Sequence, residues 1–239
     1  MIEKLLLKMR ARDDVSAEEE AVLRSAVSDV RDVGADVTVV RADEDLFVSN
    51  ILLDGLMCRY KDLGNGERQI TELHVAGDFV DLHSFPLKRL DHNVMALVPS
   101  RIALVPHDRL LRISETHPHL TRLLWFMTTL DAAIHREWQL SLGRRTSLAR
   151  IAHVLCELHA RLEIVGLTDG NVYRLPLTQV DLAECLGLTS IHVNRTLREL
   201  RSQRLVTFRN KIVSIEDHAG LKRVAEFNPD YLYNQHRPR

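Results

Sequence analysis

The stretch LTQVDLAECLGLTSIHVNRTLRELRSQRLVTFRNKIVSI, Leu177–Ile215, constrains this chain more than any other. Thr178 has Asp181 three residues on, the spacing of a capping box, and so opens a short helix. Val180, Leu182, Ala183 and Leu186 are expected to form its buried side. Gly187 then stands at a sharp turn, where glycine tolerates the left-handed backbone. Thr189 or Ser190 can cap a second helix, whose apolar positions Ile191, Val193, Leu197, Leu200 and Leu205 only partly share one stripe. Its other positions carry His192, Asn194, Arg195, Arg198, Arg201 and Arg204. A helix-turn-helix needs a buried first helix and a second one bearing groups for base edges and phosphates. A hairpin of helices with a basic face is also an ordinary packing unit, so the pattern alone does not decide between them.

Two neighbouring features favour nucleic acid. Val206-Thr207-Phe208 and Ile212-Val213-Ser214-Ile215 alternate about Arg209-Asn210-Lys211, which reads as a tight hairpin with a basic tip, the wing of a winged helix. The run from Arg195 to Lys211 holds five arginines and one lysine against the single acid Glu199, in a chain of net charge −1. Positive charge gathered on one element of a near-neutral protein points to a local polyanion site, here double-stranded DNA. Aromatic residues are only 5% of the chain, which argues against stacking platforms for single strands. No G-x-S-x-G, P-loop or glycine-rich dinucleotide turn is present, so the chain is not expected to be an enzyme.

The rest of the 239 residues is organised in front of this motif. Ile2, Leu5, Leu6 and Met9 form one helical stripe, and Ser16 with Glu19 opens a second helix. From Val33 to about Val105 the pattern changes to short runs broken by turns. Val37–Val40, Leu46–Leu53, Met57–Tyr60, Gln69–Val75, Val94–Val98 and Ile102–Val105 are predicted strands of an antiparallel barrel or jelly roll. After His117-Pro118 a long helix begins in which Leu120, Met127 and Ile134 recur every seven residues, with Leu123 and Leu130 between and Leu124 and Trp138 beside them. That spacing fits a core helix or a seam helix, and the place between a β domain and a DNA-binding domain suits a dimer axis. A further helix spans about Ser147 to Leu162, Gly166–Asn171 is read as a loop, and Asp217–Phe227 as a closing helix. The fold class is thus α+β: a jelly-roll-like β-roll with flanking helices over 1–116, a dimerisation helix over 117–143, and a winged helix-turn-helix over 144–239. Cys58, Cys156 and Cys185 lie far apart and form no disulfide framework. The opening apolar run is too short for a signal peptide and no segment approaches a membrane span, so a cytoplasmic protein without a membrane partner is expected.

The order of parts resembles the Crp/Fnr superfamily of bacterial transcription regulators. AGDFVDLHSF and NVMALVPSRIALVPHDRL look like its cyclic-nucleotide-binding β-roll, and LTQVDLAECLGLTSIHVNRTLRELRSQRLV is similar to its helix-turn-helix. The resemblance implies a homodimer paired through the long helix and bound to an inverted-repeat operator, with the two recognition helices ~34 Å apart. It also implies RNA polymerase as a partner if the output is activation. The family's recognition helix often opens Ser-Arg-Glu. Here the opening is Thr189-Ser190-Ile191 and only the later arginine, Arg195, is kept. Arg195 is expected to read a guanine, aided by Ser190, His192 and Asn194, while Ile191 suits a thymine methyl. Thr178, Thr189, Arg198, Arg209 and Lys211 complete the expected DNA-binding set, largely through phosphate.

The β-roll departs from the family pattern. Asp81, Leu82, His83, Ser84, His92 and Asn93 occupy the expected effector pocket, but Leu82 replaces the glutamate that meets the ribose, and Asp91 opposes a phosphate. This argues against cyclic AMP. No cysteine stands before Cys58, which argues against an N-terminal iron–sulfur cluster. No cofactor is therefore expected, and no H-x₃-H or C-x₂-C spacing supports a metal. The alternative reading is a sensor module for haem, a metal or a modified nucleotide that acts through a protein partner.

Overall fold

The computed structural model describes residues 1–238. They group into two compact units whose boundary falls inside one long helix, between Ala133 and Ile134. The first unit takes Met1–Lys61, Glu72–Ala133 and the stretch from Tyr233; the second takes Asp62–Thr71 and Ile134–Leu232.

In the first unit, α1 (Glu3–Arg12) and α2 (Ala17–Ala26) precede the strands. Ser16 accepts from the Glu19 amide at 3.2 Å while the Glu19 carboxylate accepts from the Ser16 amide at 2.9 Å, the capping box read from sequence. The strands are β1 (Asp29–Val33), β2 (Thr38–Val40), β3 (Val48–Asp54), β4 (Leu56–Asp62), β5 (Arg68–Val75, of which Glu72–Val75 falls in this unit), β6 (Asn93–Ala96) and β7 (Ser100–Pro106), with a short helix α3 (Ser84–Leu87) before β6. They form two sheets, ordered β1-β7-β3 and β2-β6-β4-β5, with antiparallel pairing of β7 to β1 and β3 and of β6 to β2 and β4. Strand β1 was not expected: its residues Asp29, Arg31 and Asp32 are charged and exposed, and it is held by its ladder to β7.

Alternation along β7 explains why its residues read as one apolar run. Ile102 and Leu104 pack with Val40, Leu52, Met57 and Val94, while Ala103 and Val105 pack on the other side with Leu6, Leu82, Leu110 and Leu120. Both faces of the sheet are covered, so neither side calls for polar residues. Gly77 (φ 97°) turns between β5 and the following segment, where an added Cβ would lie 2.7 Å from the Lys4 carbonyl oxygen. Only glycine lets that turn approach α1.

Helix α4 (His107–Thr116) leads into α5 (Pro118–Arg144), where proline stands at the first helical position. The seam predicted on α5 needs correction. Leu120, Leu123, Leu124, Ile134 and Trp138 are buried, and Met127 is half-buried against the first unit's core. The exposed stripe is Trp125, Thr129, Ala132, Arg136 and Leu140, at steps of three or four residues, with Trp125 70% exposed. The heptad-like spacing belongs to the core-facing side of the helix, because periodicity marks an apolar face without naming what covers it.

In the second unit, α6 (Ser147–Ile164) is capped by Thr146 and packs with α7 (Gln179–Leu186), α8 (Ser190–Ser202) and α9 (His218–Ala225), the last capped by Asp217. A four-stranded sheet runs β10-β11-β9-β8, with β8 (Thr168–Asp169), β9 (Val172–Arg174), β10 (Val206–Arg209) and β11 (Ile212–Ile215). The stretch read as a loop over Gly166–Asn171 contains β8, paired with β9 about Gly170. Two or three residues per strand give no alternation to read. At the centre of α6, buried Glu157 accepts from Trp138 Nε1 at 3.2 Å, Arg161 at 3.1 Å and the Tyr231 hydroxyl at 2.7 Å. No helix among the described residues is long and apolar enough to cross a membrane.

Candidate nucleic-acid interface

Thr178 caps α7 with its hydroxyl accepting from the Asp181 amide at 3.1 Å, and Asp181 accepts in return from the Thr178 amide at 2.6 Å. Leu182, Ala183, Cys185 and Leu186 are buried, as apolar residues on one helix face should be. Val180 is not: it is 56% exposed. At 3.6 residues per turn it lies about 160° around the helix from Leu182, a signal that was available in the sequence. The last carbonyls of α7 are satisfied by side chains. Gln69 donates to Glu184 O at 2.7 Å, and Arg150 donates to Leu186 O at 3.1 Å. Neither residue stood out in the sequence, since both bond to backbone and belong to no motif. Gly187 takes φ 59° and ψ 42°, the left-handed cap that the turn requires.

Thr189, not Ser190, caps α8, accepting from the His192 amide at 3.2 Å. Val193, Thr196 and Leu200 face inward. Ile191, Arg195, Arg198 and Ser202 therefore share the outward face, with Ile191 82% exposed in the first turn. His192 and Asn194 flank that face. Arg195 lies 2.6 Å from His192 Nε2, and Asn194 donates to Gln179 Oε1 at 3.2 Å, which ties the two helices. Past α8 the chain turns back through β10 and β11, where Asn210 (φ 51°) and Lys211 (φ 63°) form a tight turn with both central residues left-handed. Arg209 and Lys211 are exposed at that tip. An exposed apolar side chain flanked by arginine, amide and imidazole groups, beside a basic hairpin, can meet a thymine methyl, base-edge acceptors and phosphates together.

A family profile described as a Crp-like helix-turn-helix domain matches residues 149–224. A probable transcriptional activator of Rhizobium leguminosarum bv. viciae is 34% identical over 180 residues, covering 73% of this chain and 72% of that protein. The chain belongs to the Crp/Fnr family of transcription regulators. The transcriptional activator protein FnrA of Stutzerimonas stutzeri is 28% identical over 167 residues, 70% of this chain and 68% of its own length. FixK2 from Bradyrhizobium japonicum superposes with a TM-score of 0.76 at 26% identity, covering 83% of this chain and 97% of FixK2. Members of the Crp/Fnr family share this α+β build of β-roll, long helix and winged helix-turn-helix, and they are regulators rather than enzymes.

The residues expected in the effector pocket of this Crp/Fnr protein are held by separate contacts. Leu82 is in the core with α1 and α4. Asp81 is buried and accepts from the Asn50 amide at 2.6 Å and its side-chain nitrogen at 2.7 Å; burial pushes its carboxyl up to about 6. Ser84 Oγ lies 3.2 Å from both Ser49 Oγ and His107 Nε2, and Asn93 Oδ1 accepts from the Ala42 amide at 3.0 Å. His83 and His92 do meet, Nε2 to Nε2 at 3.3 Å, with His92 Nδ1 on Asp91 at 2.9 Å. Burial, with Arg59 and His92 nearby, holds His83 down to about 3, so it is neutral near pH 7. Among the described residues no three His, Cys, Asp or Glu side chains gather as a metal ion requires, and Cys58, Cys156 and Cys185 are each buried and outside any disulfide.

Proposed function

We propose that the chain acts as a homodimer on an inverted-repeat DNA operator and works as a transcriptional activator, as its relatives' names describe them. The observation that carries the reading is the outward face of α8, where Ile191 and Arg195 stand exposed beside Arg198. In it, α8 enters the major groove, Arg195 reads guanine and Ile191 a thymine methyl, with Ser190, His192 and Asn194 at flanking base edges. Thr178, Thr189, Arg198, Arg209 and Lys211 hold phosphates. The exposed face of α5 that carries Trp125 and Leu140, with Thr129, Ala132 and Arg136 between them, supports pairing through that helix. RNA polymerase is then the partner of the activator, in the cytoplasm. The burial of Leu82 and the Asn50–Asp81 bonds support a roll that does not take cyclic AMP, and the three separate buried thiols do not suit an iron–sulfur cluster.

A salt titration of the full chain on a selected palindrome and on random duplex tests this. Operator binding is expected to be tighter on the palindrome and to fall steeply with salt. Equal weak affinity for both duplexes would refute it.

A further inference from the structure

Helices α2 and α4 of the first unit leave a cleft of about 420 Å³ between them, within the ~300–1,000 Å³ typical of small-molecule sites. Val22 and Ala26 from α2 and Ile113 from α4 give it apolar walls. Arg109, Arg112 and His117 supply its polar groups, and no carboxylate lines it. Arg109 is committed to structure, donating to Ser25 O at 3.0 Å and Val27 O at 2.9 Å, so it clamps the end of α2 to α4. Arg112 is different. Its guanidinium is exposed and has no ion pair or hydrogen-bond acceptor among the described residues. The hydroxyls at the rim are used locally: Ser25 donates to Val22 O at 2.8 Å and Thr116 to Arg112 O at 2.7 Å.

We propose that this cleft binds a small organic anion, a phosphate monoester or carboxylate carried on a compact apolar body. The anionic head meets Arg112 and His117, and the body covers Val22, Ala26 and Ile113. An arginine fork matches either head group through paired charge-assisted bonds. The Thr116 hydroxyl proton goes to Arg112 O, so His117 Nδ1, 2.7 Å from Thr116 Oγ1, must be the donor of that contact. Beside His117 on the lining are Arg109 and Arg112 of α4, while α2 brings only Val22, Ser25 and Ala26, so no acid on the lining repels an anion. The place matters as much as the chemistry. His117 is the residue between α4 and Pro118 of α5, with its amide on Ile113 O at 2.8 Å and its carbonyl accepting from Thr121 at 3.0 Å. A bound anion sits at the elbow where the long helix starts.

Isothermal titration of the full chain with phenyl phosphate, benzoate and the neutral benzyl alcohol tests this. At least one of the anions is expected to bind at one site, with no binding of the alcohol. A preference for phenyl phosphate assigns a phosphate ester, and the reverse a carboxylate. Arg112→Glu is expected to weaken binding ~10-fold or more, and Ser25→Trp to block it by filling the cleft. Both positions are exposed, and unchanged far-ultraviolet dichroism establishes that the variants fold. No binding of either anion, or binding that both variants leave intact, overturns the proposal. Operator affinity is read separately in the same samples, so a failed anion site and a failed DNA reading are told apart.

Discussion

Asp131 on α5 accepts a hydrogen bond from Arg59 of β4 at 2.8 Å. The same guanidinium donates to Glu72 at 2.6 Å and to the Val80 carbonyl at 2.9 Å, so one buried arginine ties two strands and a loop to the long helix. Burial raises the Asp131 carboxyl, Glu72 raises it further, and Arg59 opposes both. Arg59→Met takes away the charge that offsets the fully buried Glu72 and is expected to cost about 3–5 kcal/mol. Asp131→Asn should cost less, because that side chain keeps 21% of its surface in solvent and an amide oxygen still accepts. Urea midpoints check the order; equal losses would contradict it.

The two arginines on the outer face of α8 should fail differently. Arg195→Ala is expected to relax preference at one base pair, by about 1–3 kcal/mol of discrimination. Arg198→Ala should weaken binding on every sequence and lower the salt slope by about 1. Anisotropy titrations on single-substitution operators separate the two.

On α5 the exposed and half-buried residues make a matched pair of probes. Trp125→Glu is expected to yield folded monomers by sedimentation, since Trp125 touches solvent over 70% of its surface. Met127→Glu puts a charge against the first unit's core and should lower the melting temperature instead. A Trp125→Glu protein that stays dimeric would remove α5 as the pairing face.

His119 joins α5 to α2 through Glu19 at 2.6 Å, and that hydrogen bond raises its imidazole above the ordinary value. The folded state therefore holds the proton more tightly than the unfolded chain does. Its stabilisation is fully present below the unfolded value of about 6.5 and is lost as pH rises through the folded one. Melting curves of the parent and His119→Gln should differ most near pH 5.5 and converge by about pH 8.5. A constant gap across that range would show that His119 acts by packing alone.

The parts legible in the sequence were those with a local cause. Both capping boxes, the Gly187 turn and the Asn210–Lys211 hairpin are each dictated by residues within a few positions of one another. Strand β1 was not legible, because Asp29, Arg31 and Asp32 give no apolar alternation and the strand exists through its register with β7. The α5 stripe was legible as a period but not as a face. The effector residues were placed by likeness to the family, and side-chain partners such as Asn50 for Asp81, 31 positions away, carry no sequence signal. For α7 and α8 the local pattern and the fold agree, apart from Val180, exposed at the start of α7, and Arg204 and Leu205, which were read as part of the second helix but lie past its end at Ser202.

Strand β1 also bears on how copies of this chain keep apart. It ends its sheet, with β7 on one side only, so its other flank is a row of backbone groups that a neighbouring molecule could extend. Asp29, Arg31 and Asp32 stand along that margin, and any strand joining there must strip water from them. A crowded cell thus finds the sheet margin closed to fibrous stacking. Replacing Arg31 and Asp32 with valine and threonine would open it to amyloid-like growth, visible as thioflavin fluorescence in concentrated samples.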